Sequence, residues 1–173
     1  MLKERVILRA VEKKDIDFIL LCENDTSVWS EGANTRFYSR YAIENYVESV
    51  QNTDIFSSCQ SRMMIDITSP NGVKTVGCAD LYDIDARHSR AGVGIYIEES
   101  YRNKGYAKLS LLQTEEYAFN VLNLYQLYAF VGADNTYSQR LFAGCGYEKT
   151  AVLKDWTECR GVFRDVYVFQ KRR

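Results

Sequence analysis

Residues 102–107 read Arg102-Asn103-Lys104-Gly105-Tyr106-Ala107, and they stand between a glycine-bearing strand and an amphipathic helix. The strand before them is Ala91-Gly92-Val93-Gly94-Ile95-Tyr96-Ile97, with Val93, Ile95 and Ile97 on one face and Gly92, Gly94 and Tyr96 on the other. Glycine inside a strand invites close approach from outside. After the hexapeptide, Leu111, Leu112, Ala118, Phe119 and Leu122 recur as one buried helical face requires. A strand from Leu124 to Val131 follows directly, so 91–131 reads as a βαβ-like unit whose two strands are parallel neighbours. The hexapeptide therefore opens a helix, where backbone N–H groups lack intrahelical acceptors and the helix dipole is positive. Such an end accepts phosphate or pyrophosphate; Gly105 keeps a Cβ out of the way, and Arg102, Lys104 and Lys108 add positive charge. No GxxxxGK[ST] string occurs, and Gly92 and Gly94 lie too early for GxGxxG. On these residues alone, a plain turn stays open as the alternative.

Working outward, Val6-Ile7-Leu8 reads as a strand, and Ile16, Phe18, Ile19, Leu20 and Leu21 as a helix. Residues 24–40 are polar and aromatic without periodicity, and Tyr46, Val47 and Val50 mark a second helix. Residues 62–67 and 73–81 form an expected hairpin across Ser69-Pro70-Asn71-Gly72, proline supplying the fixed φ of the turn. A fourth helix is expected from about Thr136 to Cys145, stopped by Gly146. Strands at Tyr147 to Leu153 and Gly161 to Phe169 close the chain. The expected fold is α/β (α+β): one domain, residues 1–173, with a mixed sheet and helices on both faces.

Composition narrows the chemistry. The 173 residues are 46% hydrophobic and 26% charged, which is outside the range of disordered chains. The balance of 22 basic against 23 acidic residues leaves no electrostatic footprint for nucleic acid. The single histidine, His88, removes HExxH zinc chemistry, multi-histidine metal sites and most Ser/His/Asp arrangements, so no metal is expected. Cys22, Cys59, Cys78, Cys145 and Cys159 show no CxxC spacing, which argues against a zinc knuckle and a disulfide framework and for a reducing compartment. No apolar run has the length of a secretory signal core or a membrane span, so the expected location is the cytoplasm, without membrane attachment.

Arg102-x-x-Gly105-x-Ala107 resembles the (Arg/Gln)-x-x-Gly-x-(Gly/Ala) signature of the GCN5-related N-acetyltransferase (GNAT) superfamily. The glycine-and-isoleucine strand before it and Asp134-Asn135-Thr136-Tyr137-Ser138 after it are similar to the family's elements, as is Leu141-Phe142-Ala143-Gly144-Cys145-Gly146-Tyr147. Gly161-Val162-Phe163-Arg164-Asp165 resembles the ending of one branch, which holds the acetylases of ribosomal-protein N-termini and the spermidine/spermine N-acetyltransferases. Residues 119–128 look most like the polyamine enzymes, and the likeness runs from Val6 to Gln170.

This resemblance implies a splayed sheet whose fourth and fifth strands part to admit the pantetheine arm of acetyl-CoA as co-substrate. The pyrophosphate would lie on the main chain of Arg102, Asn103, Lys104, Gly105, Tyr106, Ala107 and Lys108. Ile95, Tyr96 and Ile97 would hydrogen-bond the pantetheine by their main chain. Asn135, Ser138 and Phe142 match positions on or near the cofactor arm; Asn135 as a helix cap and Phe142 as core are the structural alternatives. Phe142 stands where the polyamine enzymes carry a tyrosine resembling a general acid, so that role has no assigned residue.

Asp80 and Asp83 fall where those enzymes carry glutamates facing the substrate: Asp83 is the candidate for amine deprotonation, and Asp80 and Glu31 for substrate binding. The implied activity is acetyl transfer to a primary amine, foremost a polyamine such as spermidine or spermine. A protein N-terminus as acceptor and a non-catalytic acyl-CoA-binding module stay open, as does assembly into a homo-oligomer.

Overall fold

Alternation along three central strands, interrupted by a bulge at Val76 of the third strand in sequence order, decides which side of the sheet each helix covers. The computed structural model describes residues 4–26, 29, 36–70, 72–159 and 161–173. In chain order these form β1 (Arg5–Ala10), α1 (Ile16–Glu23), α2 (Arg40–Asn52), α3 (Ile55–Ser58), β2 (Ser61–Ser69), β3 (Gly72–Asp85) and β4 (Arg90–Ile97). Then follow α4 (Tyr106–Glu116), β5 (Gln126–Gly132), α5 (Thr136–Gly144), β6 (Glu148–Cys159) and β7 (Val162–Arg172). The seven strands make one sheet in the order β1-β2-β3-β4-β5-β7-β6. All neighbours are antiparallel except β4 and β5, the parallel pair expected of the βαβ unit.

Met64 and Cys78 point to one face, where they meet Ile19 of α1 and Ile43 and Val47 of α2. Ile65, Ile67, Val76 and Ile97 point to the other, with Val6 and Tyr106. On that second face Val93, Leu127, Ala129 and Val131 also receive Leu111 of α4 and Phe142 of α5. Leu111 is fully buried, worth roughly 1.5–3 kcal/mol of transfer free energy for a side chain of its kind. Helices therefore cover both faces, and α4 is seated across the strands on either side of the parallel pair.

Buried charge is paired. The Arg9 guanidinium reaches Asp15 at 2.6 Å and Asp66 at 2.7 Å, tying β1 to β2 and to the start of α1. Lys171 of β7 reaches the buried Glu115 of α4 at 2.5 Å and donates to the Cys145 carbonyl at 2.8 Å, closing the end of α5 against α4.

Three differences from expectation have local causes. The helix after the hexapeptide ends in a π-helical stretch, Tyr117–Val121, instead of continuing as α-helix. β6 runs on to Cys159 through a register irregularity between Leu153 and Thr157, where Asp155 takes φ +48°. Trp156, Val162 and Phe163 on that outer hairpin are exposed, so no alternation of burial marks its length. α3 is a single turn held by Asp54, whose carboxylate accepts the N–H groups of Phe56 and Ser57.

Candidate active site

The β4–α4 connection is built to leave donors uncovered. Arg102 donates from Nε to the Ile97 carbonyl at 2.9 Å, which folds the turn back on the end of β4. Asn103 (φ +60°) and Gly105 (φ +85°) take left-handed backbone on either side of Lys104. Alternation of this kind turns successive N–H groups toward one concavity. Gly105 is the N-cap of α4, and no side chain caps that helix. A Cβ built at Gly105 meets nothing within 4 Å, so the turn opens outward and the first-turn N–H groups keep their dipolar attraction for an anion.

The side chains around this opening divide. Lys104 and Lys108 are exposed, the Lys104 ammonium lying over the Tyr101 ring at 4.9 Å. Tyr106 turns inward: its ring is buried in the core, and its hydroxyl donates to Glu4 at 2.5 Å, a bond that raises the phenol pKa. Ala107 is half-buried against the same core. The opening is thus bordered by main chain and by two lysines.

Upstream, β4 and β5 pair at Arg90–Gln126, Ala91–Leu127 and Gly92–Tyr128 and nowhere beyond. β4 continues to Ile97 on its pairing with β3, and β5 continues to Gly132 on its pairing with β7. Each strand is held from its outer side, so the two inner edges part. The β4 edge over Val93–Ile97 that faces β5, including Ile95, Tyr96 and Ile97, lacks a strand partner among the described residues and leads straight into the turn. Backbone donors and acceptors along such an edge must find other partners.

On the face opposite α4, a Cβ built at Gly94 meets nothing within 4 Å. One built at Gly92 would overlap the Tyr82 ring at 2.1 Å. Tyr82 lies across β4 at that point with its hydroxyl directed toward the Phe130 N–H of β5, and burial pushes the phenol pKa up. Tyr128 packs edge-on to Tyr82 with ring centroids 6.0 Å apart.

The two predicted acids occupy this face with different partners. Asp80, opposite Gly94 in register, accepts from Arg62 at 2.7 and 3.0 Å; Arg62 also reaches Glu23 at 2.5 Å and lies over the Tyr46 ring. Asp83 is exposed at φ +48° and shares a groove with Tyr128, whose phenol pKa is raised by burial and by the charge of Asp83. Asp83, Asp85, Tyr128 and Phe130 line an open groove of about 490 Å³ beside the point where the strands part. Tyr96, on the same face, lies near Cys22, whose thiol burial pushes up to about 12. Glu31 lies outside the described residues.

On α5, the Asn135 carboxamide oxygen accepts the Ser138 N–H at 3.0 Å and so caps the helix. Phe142 is buried, stacked on Phe169 with centroids at 6.1 Å and edge-on to Tyr147 at 5.0 Å. Its ring belongs to the core beneath α5, and it carries no proton to give. Tyr147 is buried with its pKa pushed well up by that burial, and Tyr137 is exposed. The chain's sequence does not point to Tyr82, Tyr128 or Arg62; the one signal for Tyr82 is Gly92, whose missing side chain leaves room for the ring. Among the described residues no group of three His, Cys, Asp or Glu side chains is placed to hold a metal, and no helix is long and apolar enough to cross a membrane.

Known proteins share this fold. The model of the acetyltransferase (GNAT) domain matches residues 5–148. A spermidine N(1)-acetyltransferase of Vibrio cholerae is 25% identical over 99% of this chain and 96% of its own length. The spermidine N(1)-acetyltransferase of Escherichia coli K12 is 26% identical over 92% of this chain and 82% of its own. The crystal structure of spermidine N-acetyltransferase from Vibrio cholerae in complex with CoA and spermine superposes with a TM-score of 0.85 at 23% identity, covering 96% of this chain and 95% of that one. The chain belongs to the GNAT acetyltransferase family.

Proposed function

We propose that this GNAT acetyltransferase uses acetyl-CoA to acetylate a primary amine of a small polyamine such as spermidine or spermine. The observation that carries the reading is the break in β4–β5 pairing immediately before an uncapped helix start. The residues fit the co-substrate: the Gly105 concavity has room where a Cβ would stand, and the N–H groups of Arg102 through Lys108 suit a pyrophosphate. Ile95, Tyr96 and Ile97 offer the free edge of β4 to the amides of the pantetheine arm, with Asn135 and Ser138 at its far side. Residues 1–173 act in this reading as one domain, because β6 and β7 extend the same sheet past residue 148.

Acetyl-CoA, when bound, supplies an activated acyl carbon and a thiolate leaving group. The chain's contribution is electrostatic and positional. Main-chain N–H groups on the open β4 edge are preorganised to stabilise negative charge on an oxygen placed between the strands. Asp83, exposed beside the groove, takes the proton of the incoming ammonium directly or through water, and Asp80 with Glu23 surrounds Arg62 so that this face keeps a net negative charge. Phe142 cannot return a proton, so solvent supplies it. The acidic face and the spermidine-acetylating relatives favour a polyamine over a peptide N-terminus. The enzyme works in the cytoplasm, with neither nucleic acid nor membrane as partner.

Thiol release should be measured with acetyl-CoA and spermidine, spermine or N-terminal peptides. Release with the polyamines at rates well above hydrolysis is expected. Release with peptides alone would sink the polyamine reading, and acetyl-CoA binding without release for any amine would favour a non-catalytic module.

A further inference from the structure

The point at which β4 and β5 separate is set by a side chain that belongs to neither strand. In a parallel ladder, the N–H one residue beyond a paired position goes to the carbonyl of the residue opposite that position. Continuing the register from Gly92–Tyr128 would pair Val93 with Ala129 and send the Phe130 N–H to the Val93 carbonyl. That pairing is not made. The Tyr82 ring crosses β4 over Gly92 instead and carries its hydroxyl toward the Phe130 N–H, whose influence on the phenol opposes the rise that burial causes.

The crossing has a steric signature. A Cβ at Gly92 would stand 2.1, 2.3 and 2.6 Å from three atoms of the Tyr82 ring, so the ring and any side chain at 92 exclude one another. Tyr82 is opposite Gly92 in the β3–β4 register, which makes the pair a large residue laid over a deliberate vacancy. Tyr128 braces the ring edge-on and is itself packed edge-on against Phe130 at 5.4 Å, so the wedge cannot swing away without losing its contact with Tyr128.

We infer that Tyr82 is a positioning residue that stops β4–β5 pairing at Gly92 and thereby fixes the width and starting point of the gap that receives the acyl donor. In this proposal its hydroxyl stands beside the first β5 N–H that parting of the strands leaves unpaired, and the Val93 carbonyl is left to accept from a ligand in the gap. The inference rests on the reading that acetyl-CoA enters there.

Three single variants and one double variant test it. Tyr82→Phe keeps the ring and removes the acceptor; about a tenfold rise in the KM for acetyl-CoA is expected, the order of one hydrogen bond, with the amine KM and kcat changed less than about twofold. Gly92→Ala evicts the ring and should cost about a hundredfold or more in kcat/KM for acetyl-CoA, yet cost less than about threefold when added to Tyr82→Ala, because the clash is then gone. Should Gly92→Ala alone fail to fold, Tyr82→Phe and the double variant still decide. An unchanged acetyl-CoA KM in Tyr82→Phe, or additive losses at 82 and 92, overturns the inference. A wild-type protein that acetyl-CoA neither saturates nor stabilises would overturn the reading beneath it, which is a distinguishable result.

Discussion

Two helices start beside the gap between β4 and β5, and they end their chains of N–H groups in opposite ways. At α5 the chain supplies its own acceptor, the Asn135 carboxamide on the Ser138 N–H, and α2 does likewise with Ser39 on Ala42. At α4 the cap position is Gly105, left-handed and without a side chain. Glycine caps a helix only about a few tenths of a kcal/mol less well than Asn or Ser, so the difference at α4 lies in what its first-turn N–H groups meet and hardly in its stability. The contrast teaches that α4 is held by burial, through Leu111 and Tyr106, whereas α2 and α5 also carry a side-chain cap.

The largest expected effect breaks this contrast outright. Gly105→Val puts branched carbon into the concavity and strains a left-handed position, and it should reduce acetyl-CoA affinity by about a hundredfold or more, abolishing the thermal shift that ligand gives the wild type. A shift of unchanged size would refute the placement of the pyrophosphate. A smaller effect is expected at the other helix. Asn135→Ala should lower the melting temperature by about 2–4 °C, the equivalent of about 1 kcal/mol in a chain of this size, while acetyl-CoA affinity changes less than about threefold. An affinity loss beyond about tenfold at constant stability would instead make Asn135 a ligand contact, and the two helix starts would no longer differ in purpose. The smallest effect sharpens the electrostatics: Lys108→Ala should weaken acetyl-CoA by about threefold at low ionic strength and by less at about 1 M salt, where screening shortens to about 3 Å. Isothermal titration at two salt concentrations reads both numbers.

Much of this architecture is legible in the chain. The glycine-bearing strand, the hexapeptide and the apolar stripe through Leu111 are local patterns with local causes, and they suffice for a parallel pair joined by a helix. The two acids of β3 are legible as lying about the end of the expected strand 73–81, but the strand runs on to Asp85 and Asp80 stands inside it, opposite Gly94. What those acids touch is not legible. Arg62 meets Asp80 because β2 and β3 are in register there, and Tyr82 finds Gly92 across an irregular β3–β4 connection; both are pairings between strands that no single stretch of residues announces. Phe142 teaches the reverse lesson. Its match to a tyrosine position points toward the gap, whereas its chemistry, a ring with no hydroxyl, suits it to the stack with Phe169 and Tyr147 where it lies.

The brevity of the β4–β5 ladder also has a mechanical side. Strands β1–β4 and strands β5–β7–β6 are two plates sharing a seam of three residue pairs, against seven pairs joining β5 to β7. Open hydrogen bonding of this kind is where sheets breathe, with α4 as the strap across the seam. A molecule laid into the gap would act as added rungs, coupling the plates, so amide exchange along Val93–Ile97 and Ala129–Gly132 would slow on both sides of the seam at once.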